Sequence, residues 1–220
     1  MIQKKIAVIL SGCGHKDGSE ITESVLLWTA LTSQNVQIHF FAPNINFHPK
    51  DPVTSEPTNL PVRNALTESQ RITRGRTLDL ATLDIHLFDG LAIVGGMGAV
   101  EVLCDWKKHG SQAKILPTLE KAILDCHQQS KPIAGICIAP VIIAKALAEF
   151  RPTITIGNDL ETIQEVLKTG ALHEVCPMDD YVTDRETKVI TTPAYMYSSA
   201  QPHQIFKGIS GLAKELAEMA

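Results

Sequence analysis

Lys131-Pro132-Ile133-Ala134-Gly135-Ile136-Cys137-Ile138-Ala139-Pro140 carries more potential chemistry than any other segment. An apolar run ends at a cysteine, and a helix-forming stretch follows at once. A strand that turns sharply into a helix pushes one side chain out at the carboxyl edge of a sheet, where open α/β sheets bind ligands. The first turn of the new helix aims unpaired N–H groups at that side chain. Those groups and the helix dipole are expected to favour a thiolate and lower the pKa of Cys137. Pro140 suits the first turn, where its missing donor is harmless. The plain alternative is a buried cysteine acting as a small hydrophobe; the elbow position favours a nucleophile.

Gly95-Gly96, with Gly98 close behind, follows the apolar run Leu91–Val94. Glycine lets a backbone N–H approach a ligand closely, so the N–H of Gly96 could join that of Ile138 as an oxyanion hole beside Gly95. No Gly-Lys-Ser/Thr follows, so this is not a phosphate-binding P-loop. Gly18-Ser19-Glu20-Ile21-Thr22-Glu23 supplies two carboxylates on one helix face. Either Glu20 or Glu23 could trade protons with a thiol, though Glu20 also suits the helix dipole. His15 and Cys13 lie in the same early loop. His109, His127 and His173 read as surface or helix-end residues, and Asp179-Asp180 either as a turn before the hairpin or as pocket lining from the far side.

The elements that would hold these groups alternate between apolar strands and amphipathic helices, the pattern of a mostly parallel sheet covered on both faces. Strands are expected at Ile6–Leu10, Val36–Phe41, Leu91–Val94, Pro132–Ile136 and Thr153–Ile156. A hairpin is expected from Tyr181–Thr183 and Lys188–Thr191. Helices are expected from Ser19, as N-cap, to about Gln34, then at Lys114–Gln129, Ala139–Ala148, Leu160–Lys168 and Pro202–Met219. Pro43–Leu80 fits less well. Its prolines 49, 52, 57 and 61 exclude regular structure in the first half, and Arg63–Arg74 reads as a short helix. A long insertion of this kind usually forms a functional loop or an oligomer contact.

With 220 residues, 44% hydrophobic and 20% charged, the chain reads as a single domain over residues 1–220. A formal net charge of −4 without a basic run argues against nucleic-acid binding. No stretch reaches the roughly 18 apolar residues of a membrane span, and the first apolar run is too short for a signal peptide. The five cysteines form no Cys-x-x-Cys pair, so a structural zinc site is not expected. Free thiols suggest a reducing, cytoplasmic setting.

Ile9-Leu10-Ser11-Gly12-Cys13-Gly14, Asp17-Gly18-Ser19-Glu20-Ile21, Arg71-Ile72-Thr73-Arg74-Gly75, Cys137-Ile138-Ala139-Pro140 and Thr191-Thr192-Pro193-Ala194-Tyr195-Met196 occur in this order along the chain. Together they resemble the ThiJ/PfpI superfamily, with the class I glutamine amidotransferase-like fold, and within it the isoprenoid-associated ElbB family of glyoxalase-like proteins. The resemblance implies a flavodoxin-like three-layer α/β sandwich with a β-hairpin addition and a homodimer. It also implies a reactive elbow cysteine touched by a first-helix glutamate, which the register of Gly18–Val25 assigns to Glu23, with Glu20 the other candidate. The activity implied is conversion of a small dicarbonyl, glyoxal or methylglyoxal, to the 2-hydroxy acid through a Cys137 thiohemiacetal, without glutathione or metal. Two other readings follow from the same resemblance. One is a redox or stress-responsive protein with a sensor thiol, and the other an amidotransferase-like partner subunit. The late His-x-Glu pair of glutamine-hydrolysing relatives is missing, so efficient glutamine hydrolysis is not expected.

Overall fold

Successive residues of β1 (Lys5–Ile9) point to opposite layers: Ala7 and Ile9 enter one buried apolar cluster, Ile6 and Val8 the other. The computed structural model describes residues 3–220. After β1 come α1 (Ile21–Ser33), β2 (Gln37–Ala42), the short β3 (Asn46–Phe47) and β4 (Arg63–Asn64), α2 (Ala65–Thr73) and β5 (Thr77–Asp79). The middle of the chain forms β6 (Gly90–Ile93), α3 (Met97–Glu101), α4 (Trp106–His109), α5 (Pro117–Gln128), β7 (Ile133–Ile136) and α6 (Pro140–Ala146). It closes with β8 (Thr153–Ile154), α7 (Leu160–Lys168), β9 (Leu172–His173), β10 (Val182–Asp184), β11 (Val189–Thr192) and α8 (Pro202–Met219).

The seven-stranded sheet has the order β10-β11-β7-β6-β1-β2-β5. Every pairing is parallel except β10 on β11, the expected hairpin. Helices α1 and α8 pack together over one face, while α3, α5 and α6 cover the other. This is the flavodoxin-like α/β sandwich expected from the alternation of elements. Because β2 lies on one side of β1 and β6 on the other, the chain switches direction beside β1. A crevice therefore opens beyond the carboxyl ends of β1, β6 and β7, where such sheets take their ligands.

Several local expectations need correction. Ser19 is not the N-cap of α1. Glu20 is, its side chain accepting the N–H of Glu23 at 2.6 Å, while Ser19 Oγ accepts the N–H of Ser11 at 2.8 Å. Thr153–Ile156 does not extend the main sheet; only β8 is extended, paired with β9 as a separate two-stranded ribbon. Helix α5 starts at Pro117 rather than Lys114, because Ile115 bridges to Cys104 and proline takes the first helical position. The proline-rich segment 43–62 contains some regular pairing, since β3 meets β4 and Lys50 bridges to Pro57. That strap is tied down at three points. Lys50 pairs with Glu101 of α3, the Lys50 N–H donates to Asp17 at 2.9 Å, and Arg63 pairs with Glu68 and Asp17. Among the described residues no helix is long and apolar enough to cross a membrane.

Candidate active site at the strand-to-helix elbow

Strand β7 ends at Ile136, and Cys137 reverses the chain with φ 61°, a left-handed conformation that non-glycine residues rarely take. Its N–H donates to Thr192 O at 2.9 Å, tying the turn to the end of β11. Pro140 then opens α6 at its first position. Strain held this firmly by neighbours is a common mark of a functional position.

Four elements converge on the sulfur. Helix α1 delivers Glu23, which is completely buried. Glu23 Oε1 accepts the N–H of Tyr195 at 3.3 Å. The other oxygen, Oε2, has no hydrogen-bond partner of ordinary geometry. It lies beside the thiol, because a Cβ built on Gly95 would stand 2.6 Å from Glu23 Oε2 and 2.5 Å from Cys137 Cβ. Only a glycine lets the carboxyl and the cysteine approach across that loop. Gly96, with φ 93°, follows at the start of α3, and its N–H and that of Ile138 both face Cys137. The two backbone donors expected as an oxyanion hole are thus placed together, with Gly95 as the spacer behind them.

Glu20 does not touch the sulfur. It is half-buried, holds the first turn of α1 and faces the solvent side of the same site. The carboxyl that lies against Cys137 is Glu23. Burial, then the neighbouring charge of Glu20, push Glu23 up to about 8; the Cys137 thiol and the N–H groups of Tyr195 and Gly95 oppose the shift. Burial and the Glu23 charge also push the Cys137 thiol well above its ordinary value, against the N–H groups of Gly96 and Ile138. The sequence-based expectation of an exposed, lowered thiol is corrected on both counts. Cys137 is only 8% exposed, and the pull of two donors and a short helix is smaller than desolvation plus an adjacent carboxylate. The two groups titrate as a pair, and with Glu23 raised to about 8 and the thiol pushed up as well, both protons are mostly kept near neutral pH.

The exposed part of Cys137 opens on a cleft of about 920 Å³. His15, Glu20, Gly96, Ile138 and Tyr195 line it around the sulfur, and Trp106 and Asp159 lie farther out in the same wall. Sequence reasoning missed the outer wall. Its one available signal was the acidic first turn of α7, with Asp159 capping the helix. Cys13 is half-exposed but does not line the cleft; His173 instead accepts the N–H of Ile156 at 3.2 Å. Among the described residues no group of three or more His, Cys, Asp or Glu is placed to hold a metal ion.

No protein-family model matches the sequence. The human glutamine amidotransferase-like class 1 domain-containing protein 3, a mitochondrial protein, is 34% identical over 98% of this chain and 83% of its own length. The zebrafish mitochondrial ES1 protein is 31% identical over 97% of this chain and 85% of its own. A crystal structure of an isoprenoid biosynthesis protein with an amidotransferase-like domain from Ehrlichia chaffeensis superposes with a TM-score of 0.89. That protein is 32% identical, with 97% of this chain and 99% of the other covered. Drosophila DJ-1beta, at 16% identity and a TM-score of 0.57 over 98% of this chain and 91% of its own, shares the fold. The mitochondrial relatives overturn the cytoplasmic expectation. Free thiols report a reducing compartment without saying which one.

Proposed function

The chain belongs to the family of the glutamine amidotransferase-like class 1 and ES1 proteins, with the DJ-1/ThiJ/PfpI fold, and from that premise we propose that it is a cofactor-independent glyoxalase. The observation that carries this reading is the buried Glu23 carboxyl whose unpartnered Oε2 lies against Cys137. The likeness of the elbow and first-helix segments to the ElbB glyoxalase-like proteins supports the same substrate class.

The geometry suits the first half of the reaction. Glu23 in its ionised form, the minor form at neutral pH for a carboxyl raised to about 8, takes the thiol proton, and the thiolate adds to the aldehyde carbon of glyoxal or methylglyoxal. The oxygen that gains the electron pair sits within reach of the Gly96 and Ile138 N–H groups, which need no reorganisation to stabilise it. Glu23 then returns its proton to that oxygen, giving the thiohemiacetal. Isomerisation moves hydrogen between the two carbons and produces a thioester of the 2-hydroxy acid. Water cleaves the thioester, releasing glycolate or lactate and restoring the thiol.

The test is production of lactate from methylglyoxal by purified protein, with a metal chelator present and glutathione absent. Turnover is expected from the wild type and none from Cys137→Ser. A wild type that consumes no methylglyoxal would falsify the reading. The sensor alternative rests on the same contacts, since a protonated Glu23 could also donate to an oxidised sulfur. It is distinguished by selective oxidation of Cys137 without turnover. The partner-subunit alternative rests on the family resemblance alone and requires a second protein to co-purify.

A further inference from the structure

Glu23 lies on the buried side of Cys137, whereas an adduct on the sulfur must project into the cleft. The hydrogen that moves during isomerisation is bonded to carbon on that cleft side, so a second group has to carry it. We propose that His15, in the loop between β1 and α1, is the cleft-side base that moves this carbon-bound hydrogen. The inference rests on the glyoxalase reading and adds to it a catalytic residue.

Placement comes first. His15 lines the cleft together with Cys137, Gly96 and Ile138. Its backbone is held in register with the oxyanion loop, because the N–H of Met97, directly after Gly96, donates to His15 O at 2.8 Å. The loop is closed behind it by Gly14 N–H to Ser19 O at 2.9 Å and Gly18 N–H to Gly14 O at 2.7 Å. The imidazole therefore starts from a fixed point beside the donors that would hold the adduct's oxygen.

The other groups of the wall are occupied or unsuited. Glu20 is engaged by the N–H of Glu23 at the start of α1. Asp159 caps α7 through the Thr162 N–H at 3.1 Å, and Glu165 accepts the Ser111 N–H at 3.0 Å and pairs with Lys168. Lys16 and Lys107 offer donors and no acceptor. Burial raises the Tyr195 phenol further, making it harder to ionise. Glu161 also lines the cleft, from the exposed first turn of α7, but a carboxylate is ordinarily a weaker base than imidazole. The ring of His15 makes no side-chain hydrogen bond or ion pair among the described residues, and imidazole is the side chain suited to exchanging protons near neutrality. Glu20 complements it, since a positive charge on His15 acts favourably on that carboxylate.

The step balances without an oxidant. His15 removes the hydrogen from the carbon bearing sulfur and hydroxyl as a proton, and the released electron pair forms an enediolate, its negative charge on the oxygen of the adjacent carbonyl. The protonated ring returns that hydrogen to the neighbouring carbon while the first hydroxyl proton passes to the second oxygen. The result is the thioester, an isomer of the starting adduct.

The experiment compares wild type, His15→Gln and His15→Ala in two assays. One is lactate production; the other is protection of Cys137 from iodoacetamide by methylglyoxal, which reads adduct formation alone. The expected result is at least about a 100-fold loss of lactate production in both variants, with protection unchanged and partial rescue of His15→Ala by added imidazole. A wild-type rate in His15→Gln overturns the assignment while leaving the glyoxalase reading intact. Loss of protection together with turnover overturns it too, because His15 would then be shaping the site. If the wild type itself makes no lactate, the glyoxalase reading fails and the role of His15 fails with it.

Discussion

Replacing Glu23 by Gln should make the protein more stable and less active at neutral pH. Glu23 is raised from an ordinary value of 4.5 to about 8 by complete burial. The folded protein therefore keeps this proton up to about pH 8, while the unfolded chain releases it near 4.5. Between those values the unfolded state binds fewer protons, so wild-type stability falls as pH rises, and it levels off above about 8. At about 1.4 kcal/mol per pH unit, the accumulated penalty at pH 7 has a ceiling of about 3 kcal/mol. Glutamine keeps the shape and an oxygen for the Tyr195 N–H but has no proton to lose. Urea unfolding of both proteins at pH 4.5, 6, 7 and 8 reads the difference directly, since titrations common to both cancel. The variant should gain stability progressively across that window while losing about 100- to 10,000-fold in turnover. A stability difference that is flat from pH 4.5 to 8 would refute the argument, because it would mean Glu23 ionises normally.

The same geometry sets further outcomes. Gly95→Ala should cost about 1–3 kcal/mol by thermal unfolding and most of the activity, since the added Cβ meets Cys137 Cβ at 2.5 Å and Ile136 O at 2.8 Å. Limited iodoacetamide should spare Cys104, Cys126 and Cys176, all pushed up to about 12. Mass-spectrometric mapping should also show Glu23→Gln accelerating labelling at Cys137 alone, through removal of the neighbouring carboxylate. Glu20→Gln should leave turnover within a few-fold and cost about 0.3–1 kcal/mol as a helix-terminus charge; a dead Glu20 variant beside an active Glu23 variant would reverse their roles. Purified protein given glutamine should release no glutamate above background, because neither His173 nor His203 lines the cleft.

Elements defined by local signals were readable from the chain. Helix α8 begins at Pro202, and α7 ends before Gly170, whose φ of 97° only glycine takes easily. Buried parallel strands announced themselves as short apolar runs. Edge elements did not: β5 has three residues with Leu78 half-exposed, so neither length nor apolarity marks it. The β-branched run after Pro152 reads as a four-residue strand, yet only Thr153 and Ile154 find a partner, at β9. At the site, the elbow and the glycine pair were legible because both are local motifs. The depth of burial was not. It depends on α1 packing its first turn against a glycine more than seventy residues later in the chain, and no window of sequence displays that contact. The pKa argument failed for the same reason, since it weighed the nearby helix terminus and not the distant carboxyl.

Burial would be a poor choice for a thiol acting alone, because it disfavours the thiolate that reacts. The pairing with Glu23 changes the balance. An exposed glutamate of ordinary acidity would be too weak a base to take the proton of such a thiol. Raised to about 8, Glu23 can hold that proton while Cys137 carries the charge. The N–H groups of Gly96 and Ile138 favour charge on sulfur, and those of Gly95 and Tyr195 favour charge on the carboxyl. Both groups are raised together, so the gap between thiol and carboxyl is narrower than beside an ordinary glutamate, with the proton still favouring sulfur. The arrangement survives only while Gly95 stays bare and Gly96 keeps its positive φ. The strap touches both neighbours of the loop that contains Gly96 in sequence or space, since Lys50 binds Asp17 of the β1–α1 loop and Glu101 at the end of α3, the helix that Gly96 opens. Loosening the strap should therefore disturb the oxyanion donors before it disturbs the sheet.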